Sequence, residues 1–172
     1  MSYNVKSIKR YSGAPSERGS DSGKHFQTFE DLEAYKVARE FRKAMYGVSR
    51  RLPDIEKFGL ASQVRRAAVS LTNNLAEGHG RYHYADQIKF VLQARGSLEE
   101  LIDDLNVCLD EKYLSDRDVE TFKQQGWRTL NVINGYGRYL RQQKAGQGSV
   151  LRETAANTPF DDEDDPFADV PL

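Results

Sequence analysis

A single cysteine, Cys108, stands in 172 residues. It has no partner for an intrachain disulfide, which excludes the small disulfide-stapled folds and fits a reducing compartment. Its neighbours Asp103, Asp104, Asp110 and Glu111 give it none of the basic surroundings a reactive thiol needs, so it reads as a packing residue. Of three histidines, only His79 and His83 are close together. Four-residue spacing lets two imidazoles on a helix share a metal, but Gly80 falls between them and only Glu77 and Asp86 add nearby carboxylates. No metal and no cofactor are expected. The chain lacks a run of roughly eighteen uncharged apolar residues and opens without the apolar stretch of a secretory signal. A soluble, cytoplasmic protein with no membrane association is expected. Period-two alternation is also missing, which argues against a sheet. No nucleophile, base or metal comes with an orienting partner, so the chain does not read as an enzyme.

What is present is charge, unevenly placed. The formal net charge is only -1, yet residues 1–25 carry five basic and two acidic groups, and residues 146–172 carry one basic and seven acidic groups. Between them, 19 basic groups stand against 17 acidic ones. This divides the chain into a basic arm over residues 1–27, a body over 28–145 and an acidic tail over 146–172. Both ends hold too little apolar surface to fold and are expected to be disordered.

The body is periodic. Its centre is Phe58 to Arg81, where Leu60, Val64, Ala67, Leu71, Leu75 and Gly78 recur in steps of four and three and keep one stripe facing inward. This helix is expected to stop at Gly78-His79-Gly80, with glycine taking up a left-handed conformation. Thr28 with Asp31 reads as a capping box opening an earlier helix, with Leu32, Tyr35, Ala38, Phe41, Met45, Val48 and Leu52 inward, closed by Pro53. A third helix is predicted from about Tyr84 to Tyr113. A fourth follows the Ser115–Asp118 cap and carries Val119, Phe122, Gly126, Leu130, Ile133, Gly137 and Leu140. Four amphipathic helices with short connections give an all-α, antiparallel up-down four-helix bundle with disordered tails. Gly96, within the third helix, costs about 1 kcal/mol relative to alanine, which suggests that another helix passes close by it, as one could at Gly78.

Several motifs carry a resemblance. Gly59-Leu60, Ser62-Gln63, Arg65-Arg66-Ala67, Ser70, Asn73 and Ala76-Glu77-Gly78 follow one another along the second helix. Phe29-x-x-Leu32 and Leu52-Pro53-x-x-Glu56 precede them, and Ala94-x-Gly96-Ser97-x-x-Glu100-Leu101 follows. Together they resemble the four-helix-bundle proteins encoded in intervening sequences of bacterial 23S ribosomal RNA genes, a family that includes the accessory protein of diversity-generating retroelements. The resemblance spans about Phe29 to Leu140. It implies a left-handed bundle assembled into a ring-shaped homopentamer, and binding of nucleic acid and a reverse transcriptase through basic surface.

The polar set beside the seam, Arg65, Arg66, Asn73, Asn74 and Glu77, has two readings, a third, a small-ligand pocket, having no supporting pattern. In one, Glu77 closes a hydrogen-bond network with the asparagines and an arginine, and with Gly78, Gly96 and Ser97 holds helix register or a subunit contact. In the other, Arg65, Arg66 and Arg81 meet RNA or DNA phosphates, which suit the guanidinium fork. Lys6, Lys9 and Arg10, beside two tyrosines, form either a small nucleic-acid-touching arm or a solvated leader. The tail sets Phe160, Asp164, Asp165, Pro166 and Phe167 in an acidic segment. It resembles the partner-docking tip of bacterial single-stranded-DNA-binding proteins, except that Ala168 to Leu172 follow the Pro-Phe pair. The expected function is a non-enzymatic nucleic-acid-binding or accessory factor for a nucleic-acid enzyme such as a reverse transcriptase. The alternative is an adaptor ring that docks a protein through its tail.

Overall fold

A computed structural model describes the backbone of residues 28–152 and the side chains of residues 28–146. Among the described residues, four α-helices make up the fold: α1 Glu33–Arg51, α2 Leu60–His79, α3 Tyr84–Asp110 and α4 Asp116–Arg152. Among the described residues there is no strand, and no helix is long and apolar enough to cross a membrane. Each of α1 and α3 packs against both α2 and α4. Close contacts link 78 with 90 and 70 with 97 between α2 and α3, so numbers fall along one helix as they rise along the next. The pairs 126 with 102 and 123 with 106 show the same reversal between α3 and α4.

The apolar stripes meet in one core. Phe41, Met45, Leu71, Leu75, Leu98, Leu101, Leu105, Ile133 and Leu140 are fully buried, so each helix contributes the face its periodicity marks. Burial of such side chains stabilises a fold by about 1.5–3 kcal/mol each. Gly126 lets α4 come in close: a Cβ there would lie 3.2 Å from Phe41 and 3.3 Å from Ile102.

The ends of the helices differ from the sequence pattern in instructive ways. Thr28 and Asp31 do form a capping box, but on a 3-10 turn, Phe29–Asp31, and α1 begins only at Glu33. Leu32 between them is extended, which lets it enter the core while the Phe29 ring packs edge-on to Tyr35 at 4.8 Å. Pro53 follows α1 as expected. Glu56 then reaches over Gly59 to accept the Leu60 amide at 2.9 Å, setting a carboxylate at the positive end of α2. A Cβ on Gly59 would sit 2.6 Å from that carboxylate, so glycine leaves the path open.

At the far end of α2 no glycine is left-handed; Gly80 is right-handed, with φ -76°. Its amide is satisfied by Ala76 and Glu77, and the Gln87 side chain donates to the Arg81 carbonyl at 2.8 Å, so the turn needs no left-handed residue. The one described non-glycine residue at positive φ is Lys112, at 58°, where the Tyr113 amide reaches back to Cys108 and closes α3. Gly78 lies inside α2 and admits α3: a Cβ there would come 2.9 Å from the Phe90 Cβ. Gly96 corrects the sequence expectation, because a Cβ there would meet nothing within 4 Å and no helix of the described chain passes it.

Asp104 is a buried carboxylate on α3 whose Oδ2 has no hydrogen-bond partner. Burial first, then Glu100 and Asp103, push its carboxyl up from 3.8 to about 6. A carboxyl raised on folding contributes most to stability below its unfolded value, and the contribution is lost as pH rises toward the folded value. Asp104→Asn should therefore stabilise the chain by about 1–2 kcal/mol at pH 7.5, with the gain shrinking toward pH 4.5. Thermal melts at both pH values check this, and a gain that does not change with pH contradicts it.

Candidate nucleic-acid interface

Opposite the buried stripe of α2 runs a second, outward face, one edge of which meets Tyr46 of α1. Ser62, Arg65, Arg66, Val69, Ser70, Asn73 and Asn74 recur at helical spacing, and Arg42, Lys43, Tyr46 and Arg50 do the same on α1. The two faces form a groove of two adjoining concavities, of about 450 and 480 Å³, that share Tyr46 and Val69. Five of its lining side chains are cationic, namely Arg42, Lys43, Arg50, Arg65 and Arg66, and none is a carboxylate.

Three of these cations are held within the chain. Arg42 donates to Thr72 Oγ1 at 2.9 Å, Arg65 donates to the Lys57 carbonyl at 3.1 Å, and Lys43 pairs with Glu40 at 2.6 Å. The Lys43 hydrogen bond, opposed by slight desolvation, holds the Glu40 carboxyl below its ordinary value. Arg50 and Arg66 make no hydrogen bond or ion pair among the described residues. Fixed guanidinium groups lose less freedom when they meet an anion, and uncommitted ones have their full hydrogen-bonding capacity to give.

The groove also sharpens the charge distribution. Residues 28–81, which contain α1 and α2, carry ten basic and seven acidic groups, a net +3. Residues 82–145, with α3 and most of α4, carry nine basic and ten acidic groups, a net -1. The nearly balanced body is thus polarised, with its excess of cations on the half that forms the groove.

The residues singled out from sequence divide. Arg65, Arg66, Asn73 and Asn74 all line the groove. Arg81 does not; it pairs with Glu77 and lies 4.7 Å from the centre of the Phe90 ring. Glu77 therefore serves Arg81 and not the asparagines. Asn74 instead donates to the Ser70 carbonyl at 2.9 Å and Ser70 Oγ at 3.1 Å. Ser97 Oγ lies 2.8 Å from Ser70 Oγ, so a polar chain of Asn74, Ser70 and Ser97 ties the outer face of α2 to α3. Lys6, Lys9 and Arg10 of the arm, and Phe160, Asp164, Asp165, Pro166 and Phe167 of the tail, lie outside the described residues.

Arg42, Lys43, Tyr46 and Arg50 escape a sequence reading because they matter only once α1 is laid beside α2. The signal that points to them is their spacing, with 42, 46 and 50 each one turn apart. Elsewhere the described residues offer no chemistry to compete with this face. Burial, with Asp104 and Glu56 nearby, pushes the Cys108 thiol up to about 11, which leaves it protonated at neutral pH. Among the described residues no three His, Cys, Asp or Glu side chains gather as metal ligands.

The family described as 23S rRNA-intervening sequence protein matches residues 30–135, more than half of the chain and all of the groove-lining residues. No curated protein matches the chain.

Proposed function

Because the chain belongs to the 23S rRNA-intervening sequence protein family, we propose that it is a non-enzymatic, oligomeric nucleic-acid-binding factor whose contact face is the α1–α2 groove. The observation that carries this reading is the set of five cationic side chains along a groove whose lining has no carboxylate. Arginine on both walls suits a phosphate chain, since each guanidinium can meet phosphate oxygens with two parallel hydrogen bonds. Such a factor acts beside a nucleic-acid enzyme, of which a reverse transcriptase is one kind, by presenting the strand. Assembly into a ring of identical subunits, as in a homopentamer, multiplies a weak groove into strong binding.

Support for assembly comes from Gly96. Helical glycine costs about 1 kcal/mol relative to alanine, and nothing in the described chain uses the space beside it. A neighbouring subunit packed on bare α3 backbone would offset that cost. Gly96→Leu is then expected to reduce the particle mass measured by light scattering, while circular dichroism shows the helices intact. An unchanged mass contradicts a subunit contact at this position.

The binding face is tested with Arg50 and Arg66, whose removal disturbs no hydrogen bond or ion pair among the described residues. The double variant Arg50→Glu/Arg66→Glu should bind labelled RNA or DNA at least about tenfold more weakly at low salt, with a logarithmic salt slope shallower by about 1.5. Equal affinity and slope would rule the groove out as the contact face. The acidic segment supports the rival protein-docking reading. Stopping the chain after Arg152 tests it, since loss of a protein partner with nucleic-acid binding intact would place docking there.

A further inference from the structure

Tyr46 gives the groove a property that charge alone does not. It is half-buried, packs against the core, and lines both concavities at the point where they join. Its ring, with Val69, gives the groove an apolar centre, while Arg42, Lys43 and Arg50 stand on one wall and Arg65 and Arg66 on the other. Beside it, the Asn73 side chain makes no hydrogen bond among the described residues, and Asn74 commits only its amide nitrogen.

A paired duplex cannot use such a centre. Its bases are stacked on one another and it offers a protein phosphates and groove edges, which a flat or convex basic surface meets as well. A single strand offers an unpaired base with a free π-face every nucleotide, flanked by phosphates on both sides. Both concavities are open to solvent, so a strand can approach them from outside. We propose that the α1–α2 groove takes single-stranded nucleic acid, with a base stacked on Tyr46, the flanking phosphates on the arginines of the two walls, and the amide of Asn73 on a base edge. Stacking tolerates any base, so the site selects strandedness and not sequence. This inference rests on the reading of the groove as a nucleic-acid interface.

The experiment compares one labelled oligonucleotide, unpaired and annealed to its complement, against the full chain and three variants. Tyr46→Leu should weaken binding of the single strand by about five- to hundredfold while leaving its salt slope unchanged, because a stacking partner is lost and no phosphate contact is. Tyr46→Phe should bind as the parent does. Tyr46→Trp should bind as well, and should lose fluorescence on addition of the single strand beyond any change shown by the parent, which has only Trp127. Duplex binding should be weaker than single-strand binding in the parent and indifferent to all three. If Tyr46→Leu fails to fold, Tyr46→Trp decides, and an unquenched tryptophan overturns the stacking role. Equal affinity for both strand forms, or Tyr46→Leu binding as the parent does, also overturns it, leaving a groove that holds phosphates only. Failure of the parent to bind either form sinks the nucleic-acid reading as a whole.

Discussion

The packing of α2 against α3 fixes what the rest of the molecule can do. Gly78 meets Phe90 at one end of that contact, and Ser70 meets Ser97 nearer the middle. Two helices joined at such points have little freedom to rotate about their axes. With Val64, Leu71 and Leu75 of the stripe turned into the core, the residues on the opposite side are committed to the outer surface. Ser62, Arg66, Asn73 and their neighbours are those residues. The groove is thus the outer surface of a packing arrangement, and its orientation is set from the inside.

The same arrangement accounts for the separation of charge. Around the groove, carboxylates are confined to its edges or to helix ends: Glu40 is engaged by Lys43, Glu77 by Arg81, and Glu56 by the start of α2 and the Tyr113 hydroxyl. Each is paired locally and leaves the groove cationic. An isolated cluster of like charges opposes folding through its own repulsion. Here the cost is limited because Arg42 and Arg65 are spread along two helices and tied to Thr72 and to the Lys57 carbonyl.

Much of the fold is legible in the sequence because burial imposes a period. Four helices and their inward residues follow from spacing alone, and the Ser115 cap, the stop before Pro53 and the burial of Cys108 need only local chemistry. Misreadings arise where a local rule has more than one outcome. Glycine ends a helix in a left-handed turn or simply allows an approach, and Gly78 and Gly80 are of the second kind or neither. Gly96 signals a missing side chain without showing which way the space lies. Arg65 and Arg66 can be found from their own helix, but Arg81 is near them only in sequence and is separated by its pairing with Glu77. The α1 wall of the groove is hidden for the same reason in reverse: Arg42, Tyr46 and Arg50 are distant in sequence from the residues they face.

Hydrogen–deuterium exchange of the full chain, with and without a single-stranded oligonucleotide at saturating concentration, is the decisive experiment because it presupposes no residue. Exchange should slow in the peptides covering residues 42–50 and 62–74, with those of the middle of α3 and α4 unchanged. Protection confined to α3 and α4, or none anywhere while the oligonucleotide is bound, would contradict a binding face between the first two helices.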